Sequence, residues 1–138
     1  MSRIVHRVRR AGIYFVTDDT RERREVLRQH RLAEIGVDQI LECRDRGFYT
    51  LHEFVLMPEH LHVLLTPGEE TTLEKALQMI KGGSAFKIRK ELDFRWPVWH
   101  SGFHDRWVRD GGEYRNYVGY VRENPVKAHL VEKAEDYP

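Results

Sequence analysis

Between Tyr49 and Pro67 the chain carries two extended runs hinged at Pro58. The first, Tyr49 to Met57, is rich in β-branched, aromatic and aliphatic residues, and the second, His60 to Thr66, alternates. Both compositions are those of β-strands, and a link this short is compatible with a hairpin. Successive strand side chains point to opposite faces, so His60, His62 and Leu64 share one face. Leu61, Val63 and Leu65 share the other, which is the expected core side. The histidine face is expected to lie outside the core, so that either imidazole could be removed without loss of the fold. Two neutral imidazoles held side by side on a rigid element make half of a metal site. In a chain with 8 histidines the same pattern also describes a half-exposed strand with two polar residues outward. The rest of the chain has to separate the two.

Ahead of this pair, Ala11 to Thr17 has the pattern of a buried central strand, followed by Asp18-Asp19-Thr20 as turn and cap residues. From Arg21 to about Arg44, Val26, Leu27, Leu32, Ile35, Ile40 and Leu41 recur at roughly helical spacing, with Gly36 a candidate break. Beyond the pair, Thr71 with Glu74 three residues on is a capping box. It opens a helix carrying Leu73, Leu77, Ile80 and Leu92. Gly82-Gly83 inside that helix costs roughly 1–2 kcal/mol relative to alanine. Two explanations are open: a backbone approach to a phosphate, or a plain break between two helices. Trp96 to His100 and Ser101 to Val108 read as extended segments. A last helix runs from about Glu113 to Glu123, limited by Pro125, with a short turn at Val126 to Val131 after it.

The element order is strand, helix, two strands, helix, one or two strands, helix. That order specifies an α+β fold, a mainly antiparallel sheet with helices packed on it. A length of 138 residues suits one domain spanning 1–138. No apolar run approaches the ~20 residues of a membrane helix. Met1 to Arg10 is basic without the apolar core of a signal peptide. A cytoplasmic protein is expected. Cys43 is the only cysteine, which excludes an intramolecular disulfide and a cysteine-based metal cluster. The net charge of +1 does not by itself call for nucleic acid. Its distribution is uneven: Arg3, Arg7, Arg9 and Arg10 crowd the start, and Lys81, Lys87, Arg89 and Lys90 a second region. Such clusters either track a phosphate backbone or form a solvated helix face.

In the last helix Tyr114, Tyr117 and Tyr120 fall at three-residue steps, and Asn124 lies four residues past Tyr120. Residues four apart share one helical face. Tyr120 and Asn124 can therefore both face the sheet, a phenol to attack phosphate and an amide oxygen to help hold an ion. Asn124-Pro125 is equally a good cap and first position for the short helix after it. Tyr117, seven residues from Asn124, is the fallback nucleophile.

Met57-Pro58-Glu59-His60-Leu61-His62-Val63-Leu64-Leu65, Phe103-His104-Asp105-Arg106 and Tyr120-Val121-Arg122-Glu123-Asn124-Pro125-Val126-Lys127-Ala128 occur in that order. Together they resemble the motifs of the HUH single-tyrosine transposases, and the last is similar to the form found in REP-associated tyrosine transposases. Lys81-Gly82-Gly83-Ser84 fits a glycine-bearing segment of the same family. The resemblance spans about Gly12 to Tyr137. Glu59 stands where the family usually has Asn, at a position expected to point away from the histidine face and to leave the chemistry unchanged. His129 replaces a frequent Gly, and the end at Asp136-Tyr137-Pro138 departs from the usual Trp-Ser continuation.

The resemblance implies a ferredoxin-like sheet with helices on both sides, with His60, His62 and Asn124 as ligands of Mg²⁺ or Mn²⁺. It implies Tyr120 as the nucleophile that cleaves single-stranded DNA near a hairpin and transfers the strand through a 5′-phosphotyrosine. Arg9, Arg10, Lys81, Gly82, Gly83, Lys87, Arg89 and Arg106 are the candidate DNA contacts. In a homodimer Tyr120 would serve either its own chain's histidines or a partner's. The competing functions are a catalytically silent module that binds structured single-stranded DNA, and a metal-dependent phosphodiesterase that uses water.

Overall fold

The computed structural model describes residues 10–127. The hairpin predicted around Pro58 forms: β2 (Tyr49–Met57) and β3 (His60–Pro67) run antiparallel, with Met57 opposite His60 and Val55 opposite His62. A register shift between Leu51 and Glu53 sets His52 in a bulge. β1 (Tyr14–Asp19) pairs antiparallel with the other edge of β3, and the four-residue β4 (His104–Trp107) pairs with β1. The sheet order is β2-β3-β1-β4, antiparallel throughout. With α1 (His30–Asp45), α2 (Leu73–Leu92) and α3 (Gly111–Lys127) this is the expected α+β architecture with a ferredoxin-like strand order.

Alternation splits the sheet's side chains between two apolar layers rather than one. Tyr14, Val16, Leu61, Val63 and Leu65 pack with Leu32, Ile35 and Ile40 of α1 and Leu73, Leu77 and Ile80 of α2. Phe15, Val55, Met57 and Leu64 pack with Val121 of α3, against Tyr114, Tyr117 and Val118. The histidine face is therefore a second core, contrary to the expectation from sequence. α3 covers it, Leu64 is fully buried, and His62 is 5% exposed.

Several boundaries also differ from the sequence expectations. β1 begins later than Ala11 and takes in Asp18 and Asp19, because their alternation continues the pairing with β3. The stretch after it is not yet α-helix: two 3-10 turns, Arg21–Arg23 and Val26–Arg28, precede α1. Glu22 and Arg23 there take left-handed backbone angles, φ 56° and 52°, which no α-helix can include. Gly36 does not split α1. It lets the helix lie close to β2, where an added Cβ would meet Leu56 Cδ2 at 2.9 Å.

α2 is capped by Thr72, not Thr71; its side chain accepts from the Lys75 N–H at 3.0 Å. The helix runs unbroken through Gly82-Gly83. A Cβ at Gly83 would fall 2.0 Å from Gln39 Nε2, so this glycine admits α1 rather than a phosphate or a break. Trp99 makes only an isolated bridge to Thr20, and the extended arm narrows to β4. α3 continues past Pro125, against the expected stop. Tyr114, Tyr117, Val118, Val121 and Pro125 form one buried or half-buried stripe. That packing outweighs the single hydrogen bond a proline removes near a helix end. Asn124 is consequently inside the helix and does not cap a following one. Arg3, Arg7 and Arg9 of the N-terminal cluster and residues 128–138 lie outside the described residues. Among the described residues no helix is long and apolar enough to cross a membrane.

Candidate metal and nucleophile site

The alternation of β3 and the register with its neighbours assemble the site. Asp19 and Thr17 of β1 stand opposite His60 and His62, and His104 and Arg106 of β4 stand opposite Thr17 and Phe15. All lie on the α3 side of the sheet. The His60 and His62 ring centroids are 4.5 Å apart. His62 Nδ1 hydrogen-bonds Thr17 Oγ1 at 2.9 Å, and His60 Nδ1 hydrogen-bonds Glu59 Oε1 at 2.7 Å. With both Nδ1 atoms engaged, Nε2 of each ring is the nitrogen that could face a cation, as where an outer partner orients a metal-binding imidazole. Burial pushes the His62 pKa down to about 3, helped by His60 and by the Arg23 guanidinium. His62 is thus neutral at physiological pH, the form that donates to a cation.

An aromatic stack fixes the surroundings. Phe15 lies parallel to His62 at 5.2 Å and to Tyr117 at 4.4 Å. Tyr120 meets His62 edge-on at 5.2 Å and Phe15 at 5.9 Å, and is 44% exposed. Tyr117 is packing and Tyr114 stands edge-on to His52, so the structure brings Tyr120, not its two neighbours, to the histidine pair. Asn124, half-buried, follows one turn later on the same helix. Arg122 Nε pairs with Glu53 Oε2 at 2.9 Å and ties this end of α3 to β2.

Among the described residues, no three His, Cys, Asp or Glu side chains cluster as a metal site. The third donor expected from the sequence, the Asn124 amide oxygen, is carried by α3, one turn past Tyr120. Two nitrogens and one neutral oxygen suit a divalent ion that keeps positions open for other oxygens. The paired imidazoles of this face, with Asn124 as a third donor, would fit that use.

The candidate DNA contacts divide between the two sides. Arg106 is exposed on the histidine side. It lines a cavity of about 430 Å³ together with Phe15, Thr17, Phe103, His104, Asp105 and Tyr117. The Arg10 guanidinium lies 4.7 Å over the Trp107 ring. Lys81, Gly82, Gly83, Lys87 and Arg89 all sit on α2, across the sheet from the histidines. Lys81 Nζ is held by Asp18 at 3.3 Å and donates to the His100 and Gly102 carbonyls at 2.8 Å each. Lys87 pairs with Glu42 at 2.7 Å. Lys81 and Lys87 therefore brace neighbouring elements.

Thr17 did not stand out in the sequence, and Glu59 did so only as a departure from the family pattern expected to leave the chemistry unchanged. Thr17 acquires its role only through the β1–β3 register. Glu59 is in a turn, where alternation no longer fixes direction, and its carboxylate reaches His60 instead of pointing away as expected.

The sequence matches the family described as Transposase IS200 like over residues 13–123. It is 28% identical over 130 residues to the REP-associated tyrosine transposase of Escherichia coli K12, covering 94% of this chain and 75% of that protein. The fold superposes on a REP-associated tyrosine transposase bound to a REP hairpin with a TM-score of 0.78 at 23% identity, covering 100% of this chain and 81% of the other. A Deinococcus radiodurans crystal structure superposes with a TM-score of 0.60 at 18% identity, covering 87% and 97%.

Proposed function

Since this chain belongs to the family of IS200-like transposases, we propose that it cleaves and rejoins single-stranded DNA through a 5′-phosphotyrosine on Tyr120. His60, His62 and Asn124 would hold Mg²⁺ or Mn²⁺ beside it. The observation that carries this reading is the contact of the Tyr120 ring with His62, 5.2 Å between centroids, next to His60. When bound, a hard divalent ion withdraws charge from the scissile phosphate. The protein's own groups do the rest. Thr17 and Glu59 hold the two imidazoles in orientation. Tyr120 presents its phenol from the surface of a helix anchored through Val121 and Arg122. The phenol oxygen forms a bond to phosphorus as its proton passes to solvent. The P–O3′ bond breaks, and the departing oxygen takes a proton to become a 3′-hydroxyl. The phosphotyrosine conserves the bond energy, so attack by another 3′-hydroxyl reverses the step and joins strands.

The Tyr120 ring lies against His62 of its own chain, which supports a complete site within one protomer. Arg106, on the histidine face, is the leading phosphate contact, with Arg10 a second. A DNA hairpin as the binding partner is supported by the hairpin held in the solved REP-associated transposase structure. A denaturing gel of the protein with single-stranded hairpin DNA and Mn²⁺ tests the reading. A covalent adduct is expected for the wild type and for Tyr117→Phe, and none for Tyr120→Phe. An adduct retained by Tyr120→Phe and lost by Tyr117→Phe would move the nucleophile. Hairpin binding with no adduct in any protein would favour the binding module.

A further inference from the structure

The turn between β2 and β3 holds a carboxylate against the back of the candidate metal site. Glu59 Oε1 is 2.7 Å from His60 Nδ1, with the Glu59 side chain 20% exposed and the His60 side chain 12%. A bond this sheltered keeps more of its strength than one in open water. The turn itself is clamped. The Thr20 N–H donates to the Glu59 carbonyl at 3.0 Å, and its single hydroxyl proton is shared between the Arg24 carbonyl at 2.7 Å and the Glu59 carbonyl at 3.1 Å; the Leu27 N–H donates to the Pro58 carbonyl at 3.1 Å. Thr20 is fully buried.

From the outer side, Arg23 Nη1 pairs with Asp19 at 3.0 Å and Nη2 approaches Glu59 at 3.8 Å. Arg23 reaches this place through the left-handed backbone at Glu22 and Arg23. That conformation is costly for residues with a side chain and is retained where the surroundings enforce it. The carboxylate is nearer the imidazole than the guanidinium, so its primary partner is His60.

We propose that Glu59 is a positioning residue for the metal: its carboxylate accepts the Nδ1–H of His60, fixing the tautomer whose Nε2 lone pair faces the ion. The role rests on the metal-site reading proposed above. It assigns a task to the segment from Thr20 to Leu27, which holds the turn and, through Arg23, screens the carboxylate. A charged outer partner raises the donor strength of the imidazole, and losing such a partner typically weakens metal binding ten- to a hundred-fold.

Two measurements on the full chain test it. Nitrogen-15 NMR of the metal-free protein should show His60 protonated on Nδ1 in the wild type and in Glu59→Gln, whose amide oxygen still accepts. In Glu59→Ala the proton should shift to Nε2. Calorimetric titration with Mn²⁺ should show binding by the wild type, about ten-fold weaker binding by Glu59→Gln and at least as large a loss in Glu59→Ala. Glu59→Asp should recover part of it. Mn²⁺ binding that disappears in His62→Ala but stays within two-fold of wild type in Glu59→Gln and Glu59→Ala would overturn the role of Glu59 alone. No Mn²⁺ binding by the wild type would overturn the metal-site reading and this role with it.

Discussion

His62 serves two demands at once, as a ligand candidate and as a packed ring between Phe15 and Tyr120. Replacing it with alanine should remove Mn²⁺ binding and also cost roughly 2–4 kcal/mol of stability, as other large-to-small core changes do; urea unfolding measures the second part. Its burial also sets a pH dependence. The folded imidazole stays neutral down to about 3, while the unfolded one titrates near its ordinary 6.5. Between those values only the unfolded chain takes up the proton, so stability falls as pH drops from about 6.5 toward 3. Asp18, buried beneath the other layer, has the opposite sign. Desolvation raises its pKa from 3.8 to about 7 despite Lys81. Between these values only the folded chain retains the proton, so stability falls as pH rises from about 4 to 7. The two oppose each other between about 4 and 6.5, so over that range His62→Gln should expose a urea midpoint that falls as pH rises and Asp18→Asn one that rises with it. Strand alternation made the shared face of His60 and His62 legible in the sequence. That the face is a core was not, because burial there is supplied by a helix distant in sequence. Glu59 was misdirected for the related reason that a turn residue has no period to read.

At the level of elements, α2 separates propensity from packing at two adjacent positions. Gly82 has no atom within 4 Å of an added Cβ, whereas Gly83 meets the Gln39 side chain, which donates to the Met79 carbonyl at 3.0 Å. Gly82→Ala should therefore stabilise the protein by up to about 1 kcal/mol. Gly83→Ala should destabilise it by about 1–3 kcal/mol. Thermal unfolding of the two variants decides, and equal gains would remove the close-approach account of Gly83. The hairpin, the three helices and their order were legible because each carries its own period. The reasons for the glycines were not, since a glycine that marks a break and one that admits a neighbour look alike until the neighbour is placed. Pro125 misled similarly: a local backbone preference was read without the buried stripe from Tyr114 to Pro125 that overrides it.

Across the whole molecule the sheet separates two kinds of work. The α1/α2 side is apolar packing braced by Lys81 and Lys87, and the α3 side gathers His60, His62, Tyr120 and Arg106. DNA affinity should follow that division. Arg106→Ala should weaken hairpin binding and lower the salt slope by about 1, while Lys87→Ala should leave both unchanged; fluorescence anisotropy over a salt series tests the pair. The two halves of the candidate site also differ in how far apart the chain carries them. His60 and His62 belong to one hairpin closed by a two-residue turn, while Tyr120 lies on α3, the last of the described elements. Chains emerge from the ribosome N-terminus first, and hairpins close in microseconds. A nascent chain can thus pair its two imidazoles well before the phenol has been synthesised. On the proposed chemistry, strand cutting begins only when α3 docks, so synthesis itself times the activity and an unfinished chain is harmless to nucleic acid nearby.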